Sequence, residues 1–293
     1  MASTQEIRRR IRSVRNVAQI TRAVQLVASS KMRRAQERVI ASRPYAEQLS
    51  KLLSRVAAQA DDISELPLMQ KRDVKRLAIV LITPDRGLAG ALNSNTNRRA
   101  AQLAQELRRE HNNPSLPITF VAVGRKGRDF LTRSRQDIMA EFTTLGDQPK
   151  IQDVRAIART VTDAYINGEI DLALLVYPKY VSAVAQTPTV TQLLPTEPPE
   201  TEEAEGAAPQ YIFEPDALQI FAELLPRYVE TQIYQPLLET VASFYSAQMV
   251  AMKNATDSAN DLLSDLTLTY NKVRQTAITT QILEVVSGAN ALQ

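Results

Sequence analysis

LLETVASFYSAQMVAMKNATDSANDLLSDLTLTYNKVRQTAITTQILEVVS, residues 237–287, contains neither glycine nor proline. These two residues disfavour a helix interior most strongly, by about 1 and about 3 kcal/mol. Glycine is also absent from residues 1–86 and from the whole of residues 207–287. A helix of about 50 residues is about 75 Å long, which exceeds the width of an ordinary globular core. The sequence therefore predicts a long helix at each end of the chain and a compact module between them.

The charge of the chain is unevenly distributed, although its net charge is only +3. Residues 1–43 contain eleven arginines or lysines and two glutamates, whereas residues 236–293 contain three basic and five acidic side chains. Opposite charges favour two terminal helices that lie side by side. The basic surplus of the first helix indicates either a solvated face or an acidic partner.

Several classes of site and protein are excluded by composition. The chain has no cysteine and a single histidine, His111, so disulfides, thiolate catalysis and histidine-rich metal sites are ruled out. No apolar run reaches the roughly 18 residues of a membrane span. The arginine-rich start continues at helical spacing well past residue 40, which argues against a signal or transit peptide and favours a bacterial source.

The first helix carries apolar residues at steps of mostly three or four. This spacing places them on one helix face and predicts the buried seam of a coiled coil or bundle. Pro44 lacks the backbone N–H that a helix needs, so we expect it to end or bend this helix, with a second helix from Tyr45 to about Ala60. The predicted seam consists of Ile7, Ile11, Val14, Val17, Ile20, Val24, Val27, Met32, Ala35 and Val39.

The second long helix is predicted to begin near Asp216, and Pro226 and Pro236 are expected to bend its early turns. Alanine, serine and threonine dominate after Met249, which favours a thin seam and a close approach of the two helices. The apolar end of this helix, residues 284–291, needs a socket outside its own chain. The predicted seam consists of Val241, Phe244, Ala247, Ala251, Ala255, Leu262, Leu266, Thr269, Val273, Ala277 and Thr280.

The middle of the chain alternates between strand and helix patterns. The aliphatic run RLAIVLIT at 76–83 is typical of a strand that is buried on both faces. Strands that alternate with helices predict a mostly parallel sheet covered by helices. The predicted strands are 76–83, 118–123, 138–143, 172–177 and 189–194, and the predicted helices are 93–110, 124–133 and 151–167.

Two glycine turns in this module, DRGLAG at 85–90 and GRKG at 124–127, invite comparison with phosphate-binding loops. Neither matches GxGxxG or GxxxxGK[ST], so we interpret both as ordinary strand-to-helix turns. We also find no set of acids, bases and nucleophiles that would form a catalytic pocket. The acidic, proline-rich stretch between residues 194 and 211 is predicted to be an exposed linker.

Several motifs resemble the gamma subunit of the rotary F-type ATP synthase, in order and over residues 1–290. They are IRRRIRSVRNVAQITRAVQLVASSKMRRAQ, TPDRGLAGALN, YIFEPD, RYVETQIYQPLLE, AQMVAMKNATDSANDLLSDL and YNKVRQTAITTQILEVVSGA. The sequence departs from the family at Gln281, where glutamate is usual, and at 89–91, where Cys-Gly-Gly is common. Because the chain lacks cysteine, we expect it to lack the redox switch that chloroplast relatives carry near residues 196–208.

The resemblance implies an α/β fold: a long antiparallel coiled coil of the N- and C-terminal helices plus a central mostly parallel α/β domain. The implied domains are a coiled-coil helix at 1–60, a Rossmann-like domain at 74–195 with an acidic loop at 196–209, and a coiled-coil helix at 210–293. The implied function is that of a non-catalytic central-stalk rotor, without a cofactor. It would couple proton-driven rotation of the membrane ring to conformational cycling of the alpha/beta hexamer.

The implied partners are three alpha and three beta subunits, the epsilon subunit and the membrane c-ring, but no nucleic acid. The chain would be peripheral to the cytoplasmic face of a bacterial cell membrane. The expected contacts with the beta subunits are Arg274, Gln275 and Thr279 from the resemblance, and Arg8, Arg9, Arg33 and Arg34 from their charge. The expected contacts with the ring or the epsilon subunit are Tyr211, Glu214, Asp85 and Arg86.

Three other functions are compatible with parts of the sequence. The basic first helix could belong to a nucleic-acid-binding coiled coil, which predicts salt-sensitive binding by the isolated chain. The middle sheet could belong to a nucleotide-using enzyme, which predicts ATP binding by that module alone. The chain could also be a scaffold without a moving function. Copurification with alpha and beta subunits would distinguish a rotor from the first two.

Overall fold

The computed structural model describes residues 4–60, 62–197 and 216–290, without the side chains of residues 288 and 289. In this part of the chain, the helices α1 to α5 span Thr4–Ala57, Leu92–Glu110, Arg125–Arg133, Ile151–Ile166 and Ala217–Asn290. The strands β1 to β5 span Leu77–Ile82, Ile118–Val123, Asp137–Phe142, Leu172–Tyr180 and Gln186–Leu194. The predicted long helix at each end and the predicted alternation between them are confirmed.

The chain forms two compact units, which we describe separately. The coiled-coil unit comprises Met1–Ser29 and Gln248–Gln293, and the sheet unit comprises Ser30–Ala247. Because α1 and α5 each continue from one unit into the other, each long helix contributes residues to both.

The sheet unit is built on a five-stranded sheet with the order β3-β2-β1-β4-β5. The pairs β1–β2, β1–β4 and β2–β3 are parallel, whereas β4–β5 is antiparallel. All six residues of the central strand β1 are buried. Its side chains alternate between two cores: Ala78, Val80 and Ile82 join one, and Leu77, Ile79 and Leu81 join the other. Burial on both faces explains why this strand is continuously apolar.

Different helices cover the two faces of the sheet. The first core packs β1 against α4 and against the sheet-unit parts of α1 and α5, for example at Leu53 and Phe221. The second core packs β1 against α2 and α3, for example at Leu103 and Leu131. The carboxyl ends of β1, β2 and β3 lead into loops that line one pocket with α5.

The expectation that Pro44 ends the first helix is wrong. Helix α1 is continuous through this exposed proline as far as Ala57, and no second helix begins at Tyr45. Buried side chains flank the proline on both sides, Val39 before it and Leu49 after it. This packing supports the helix where the proline cannot donate its hydrogen bond. Helix α5 likewise continues through Pro226 and Pro236.

Candidate functional site

In the coiled-coil unit, α1 presents a regular buried face to α5. Its least exposed positions recur at alternating steps of three and four residues, which is the seven-residue repeat of a coiled coil. The residues at these positions are Thr4, Ile7, Ile11, Val14, Ala18, Thr21, Gln25 and Ala28, and each is buried or partly buried.

Helix α5 has the same repeat on its side of the seam. Its seam positions again alternate by four and three residues, and each is buried or partly buried: Met252, Thr256, Ala259, Leu263, Leu266, Tyr270 and Val273. The predicted positions Leu266 and Val273 are therefore confirmed, and the predicted Ala251 and Ala255 are also partly buried. The predicted positions Leu262, Thr269, Ala277 and Thr280 are wrong, because their side chains are exposed.

Two side-chain contacts fix the direction and register of this pair. The hydroxyls of Thr21 and Thr256 are 2.7 Å apart. At the other end, the Arg8 guanidinium donates to the Tyr270 hydroxyl and its carbon lies 5.5 Å from the centre of that ring. Because the contact moves toward the start of α1 as it moves toward the end of α5, the two helices are antiparallel.

The predicted seam of α1 is partly wrong, at Val17, Ile20 and Val27. These side chains are 48, 63 and 55% exposed. Small or polar residues face α5 at the corresponding turns, including Ala18 and Thr21, and they allow the backbones to approach closely. Helix α1 therefore has two apolar faces, one against α5 and one without a partner among the described residues.

The exposed arginines of α1 lie mostly on the other side of the seam. At about 100° per residue, Arg8, Arg12, Arg15 and Arg22 share one flank of the helix, and the exposed valines and isoleucine share the opposite flank. We call these the basic flank and the apolar flank of α1. Arg9 and Arg10 lie outside the basic flank, on the side of the apolar one.

The last part of α5 extends beyond the described part of α1. The register sets Thr4, the first described residue of α1, opposite Val273, and every side chain from 274 to 287 is exposed. We call residues 274–287 the tip of α5. Five large apolar side chains project from it with no partner in the described chain: Ile278, Ile282, Leu283, Val285 and Val286.

The residues predicted to contact the beta subunits divide between the two units. Arg274, Gln275 and Thr279 are exposed on the tip of α5, where the Thr279 hydroxyl donates to the backbone carbonyl of Gln275 at 3.0 Å. Arg8 and Arg9 lie at the same end of the coiled-coil unit, one turn of α5 away. By contrast, Arg33 and Arg34 are exposed on α1 in the sheet unit. The contacts themselves stay a prediction.

Asp85 has a structural contact that the sequence did not indicate. It follows β1, and its carboxylate accepts the backbone N–H of Arg125 at the start of α3, at 2.8 Å. The Thr83 hydroxyl accepts the N–H of Gly127 at 2.7 Å, and the Pro84 carbonyl accepts that of Lys126. Because the chain itself uses the first amides of α3, this glycine turn has the geometry of an ordinary strand-to-helix turn.

Arg86 lines the pocket at the carboxyl ends of β1, β2 and β3, together with Asp85. Its proposed contact with the ring or the epsilon subunit stays a prediction. Tyr211 and Glu214, the other two residues of that set, lie outside the described residues.

An ion pair in the sheet unit was not anticipated from the sequence. The Lys31 ammonium on α1 lies 2.5 Å from the Asp147 carboxylate in the loop after β3, and 3.3 Å from the Tyr245 hydroxyl on α5. Burial would raise the pKa of Asp147, but hydrogen bonds from Lys31 and Tyr245 bring it below its usual value. Arg38 also donates to the Asp147 carbonyl, at 3.1 Å. These contacts fasten the loop to both long helices.

Within residues 4–60, 62–197 and 216–290, none of the helices combines the length and the apolar character that crossing a membrane requires. Nor do histidine, aspartate and glutamate side chains form a group of three that would hold a metal ion.

The same arrangement of terminal helices and central sheet occurs in known proteins. The ATP synthase family profile matches residues 3–292. The ATP synthase gamma chain of Roseiflexus castenholzii is 46% identical over 294 residues, which cover 100% of this chain and 99% of the relative. That of Desulfitobacterium hafniense is 47% identical and covers 100% of both chains. A chain in the mitochondrial ATP synthase structure of Euglena gracilis has the same fold, with a TM-score of 0.64 at 20% identity, over 99% of this chain and 94% of that one. The chain therefore belongs to the ATP synthase family, among its gamma chains.

Proposed function

We propose that this chain is the central-stalk rotor subunit of an ATP synthase, which couples proton-driven rotation of the membrane ring to conformational cycling of the alpha/beta hexamer. It would act as a moving part and carry out no chemistry itself. Its partners would be three alpha and three beta subunits, the epsilon subunit and the c-ring. It would be peripheral to the cytoplasmic face of a bacterial cell membrane.

The tip of α5 is the observation that carries this proposal. An isolated amphipathic helix end gains nothing from exposed isoleucine, leucine and valine, whereas burial in a partner gains about 25 cal/mol per Å² of apolar surface. Ile278, Ile282, Val285 and Val286 fall within about 100° of one another around the helix, so they form one face. An apolar collar formed by the alpha and beta subunits would cover this face.

The two flanks of α1 support the same proposal. The apolar flank gives α1 a second surface that α5 does not cover, and the basic flank adds positive charge on the opposite side. A helix pair enclosed by a ring of subunits would meet partners on both flanks. Acidic patches on the beta subunits would face the arginines.

The sheet unit would carry the contacts with the epsilon subunit and the membrane ring. Support comes from a solved structure of the central stalk and c-ring of Tetrahymena thermophila mitochondrial ATP synthase, which contains a chain of the same fold with a TM-score of 0.60 at 24% identity. Asp85 and Arg86 are our nominated contacts in the described chain, and Tyr211 and Glu214 are nominated from outside it.

Single-molecule rotation would test the proposal directly. The chain has no cysteine, so Glu110→Cys at the exposed last residue of α2 would introduce the one cysteine of this chain as an attachment point for a bead. We expect the chain to copurify with alpha and beta subunits in the ratio of one to three to three. With the hexamer fixed to a surface, ATP should drive stepwise rotation of the bead in one direction.

The control attaches the bead to a cysteine on an alpha subunit that is itself fixed, where no rotation is expected. ATP turnover by a stoichiometric complex without bead rotation would contradict the proposal. So would an ATP-hydrolysing activity that the isolated chain shows alone.

A further inference from the structure

A concave pocket of about 730 Å³ lies on the sheet unit, between α1, the start of α4 and α5. Its volume falls within the range of small-molecule sites, which is roughly 300–1,000 Å³. The pocket is separate from the tip of α5 and from the flanks of α1 in the coiled-coil unit. Nothing in the proposed rotor function requires it.

Four cationic side chains from different elements line this pocket. Arg38 lies on α1, Lys150 directly before α4, Arg155 on α4 and Arg227 on α5. One carboxylate, that of Glu230, lines the pocket with them. The pocket therefore has a clear surplus of positive charge.

Contacts within the protein orient the three guanidiniums but leave most of their donors unused. Arg155 and Arg227 lie 3.6 and 3.4 Å from the two oxygens of Glu230, and Arg38 donates one hydrogen bond to the Asp147 carbonyl. A guanidinium has five N–H donors, so each retains donors for a ligand. Among the described residues, the Lys150 ammonium has no ion-pair partner.

Two tyrosines add aromatic surface to the same pocket. Tyr45 is 62% exposed, and Tyr234 is partly buried with its hydroxyl directed to the Pro149 carbonyl at 3.4 Å. An exposed tyrosine ring beside several cations can accept a flat ring of a ligand by stacking.

We propose that this pocket binds a polyphosphate, either inorganic or as the phosphate chain of a nucleotide. Arginine and lysine are the usual partners of phosphate groups, arginine through paired hydrogen bonds and lysine as a point charge. A chain of phosphates places several negative charges within one concave volume. It therefore matches the four cations of the pocket better than a ligand with a single carboxylate would. The start of α4 is already capped, because the Asp153 carboxylate accepts the backbone N–H of Lys150 at 2.7 Å, so the positive charge of the pocket comes from the four side chains.

Calorimetric titration of the purified full-length chain tests this assignment, with ATP and with inorganic tripolyphosphate as separate probes. We expect saturable binding that weakens as salt is raised. Replacing two of the cations, Lys150→Gln with Arg155→Gln, should weaken binding at least tenfold. The variant Glu230→Gln removes the competing carboxylate and should strengthen it.

Arg159→Gln is the matched control. Arg159 lies one turn after Arg155 on α4, outside the pocket, and pairs with Asp163 on the exposed surface. This variant should bind as the unmodified chain does. Equal affinity for ATP and tripolyphosphate would identify the phosphate chain as the recognised group. If ATP binds more tightly than tripolyphosphate and Tyr45→Ala removes that difference, the base of the nucleotide also stacks on Tyr45.

Three results would overturn the assignment. The first is no binding of either probe by the unmodified chain. The second is unchanged affinity in the Lys150 and Arg155 double variant when circular dichroism shows it is folded. The third is equal weakening by Arg159→Gln, which would mean that general surface charge attracts the probe.

Discussion

Position 124 requires glycine for two reasons, its backbone conformation and a close neighbour. Its φ is +96°, and a Cβ on it would lie 1.8 Å from the Thr83 carbonyl oxygen. Because of this close approach, the turn that joins β2 to α3 lies directly beside the end of β1, where the Thr83 hydroxyl accepts the N–H of Gly127. Only glycine meets both requirements, since a side chain here would displace the backbone.

We predict that Gly124→Ala destabilises the sheet unit by at least about 3 kcal/mol, because it adds a clash to the cost of a positive φ. Gly146→Ala is the matched control. Gly146 has φ +74°, but a Cβ added there would meet no atom within 4 Å, so this variant should lose only about 1–2 kcal/mol. Urea unfolding followed by circular dichroism measures both losses. Equal losses would show that the close approach to Thr83 does not matter.

Glu239 is a half-buried carboxylate of α5 in the sheet unit. Its Oε2 atom is buried without a hydrogen-bond partner. Burial raises the pKa of Glu239, and a hydrogen bond from the backbone of Tyr180 and the charges of Lys179 and Arg43 only partly oppose this rise. The protonated carboxyl is therefore favoured in the folded chain relative to the unfolded one.

This pKa shift has a definite sign for stability. A folded pKa above the unfolded value of about 4.3 means that the native state holds the proton more tightly. The contribution of Glu239 is therefore most favourable below that value and is lost as the pH rises through the folded pKa. We predict that Glu239→Gln raises the melting temperature relative to the unmodified chain at pH 8, and raises it less at pH 4.5. A difference between the two chains that does not change with pH would contradict the shift.

At the scale of the element, α1 separates its partners by face. The coiled-coil seam uses alanine, threonine and glutamine as well as isoleucine and valine, whereas the uncovered flank carries only valine and isoleucine among its apolar residues. The spacing of apolar residues in the sequence identified residues of both faces but assigned all of them to one stripe. Which of two adjacent faces meets α5 depends on how closely the backbones approach, and residue spacing does not contain that information.

Two identical substitutions separate these faces. Ile7 on the seam is 4% exposed and Ile20 on the apolar flank is 63% exposed. We predict that Ile7→Ala lowers the stability of the coiled-coil unit by about 2–4 kcal/mol, and that Ile20→Ala changes it by less than about 0.5 kcal/mol. Thermal unfolding of the isolated full-length chain compares them. A large loss from Ile20→Ala would place that residue back on the seam.

The elements of the sheet unit were more predictable than its contacts. The strand Ile118–Val123 has the predicted bounds, because its aliphatic run is flanked by proline and glycine. The ion pair of Lys31 and Asp147 could not be predicted, since the two residues are 116 positions apart and Asp147 lies in no recognisable motif. The continuity of α1 through Pro44 also depends on tertiary packing, which outweighs the local preference of proline.

At the scale of the whole molecule, the surface that best indicates the function is the tip of α5, which the rest of the described chain does not cover. The tip of α5 contributes apolar side chains and the three polar residues Arg274, Gln275 and Thr279. Because these side chains are exposed, altering them should change assembly or coupling and leave the fold of the isolated chain intact. Function and stability are thus separable in this region.

We predict that Arg274→Ala with Gln275→Ala impairs ATP turnover by the assembled complex without unfolding the shaft. The helix should persist because alanine has the highest helix propensity. A matched double variant, Lys272→Ala with Asn271→Ala, alters two exposed residues less than one helical turn before Arg274 on α5 and should have a smaller effect. Turnover is measured after reconstitution with alpha and beta subunits, with circular dichroism as the check on folding. Normal turnover in the Arg274 and Gln275 variant would refute their assigned contact.

The described part of α1 begins at Thr4, opposite Val273, and this point divides the described coiled-coil unit into two mechanical regimes. Up to Val273, any twist applied to α5 is shared with a second helix across the seam, whereas from residue 274 to 290, over about 25 Å, no second helix of the described chain lies beside it. One helix resists torsion and bending less than two that are bonded together. Elastic strain would therefore concentrate in this last segment, which would act as a compliant spring in series with a harder drive shaft.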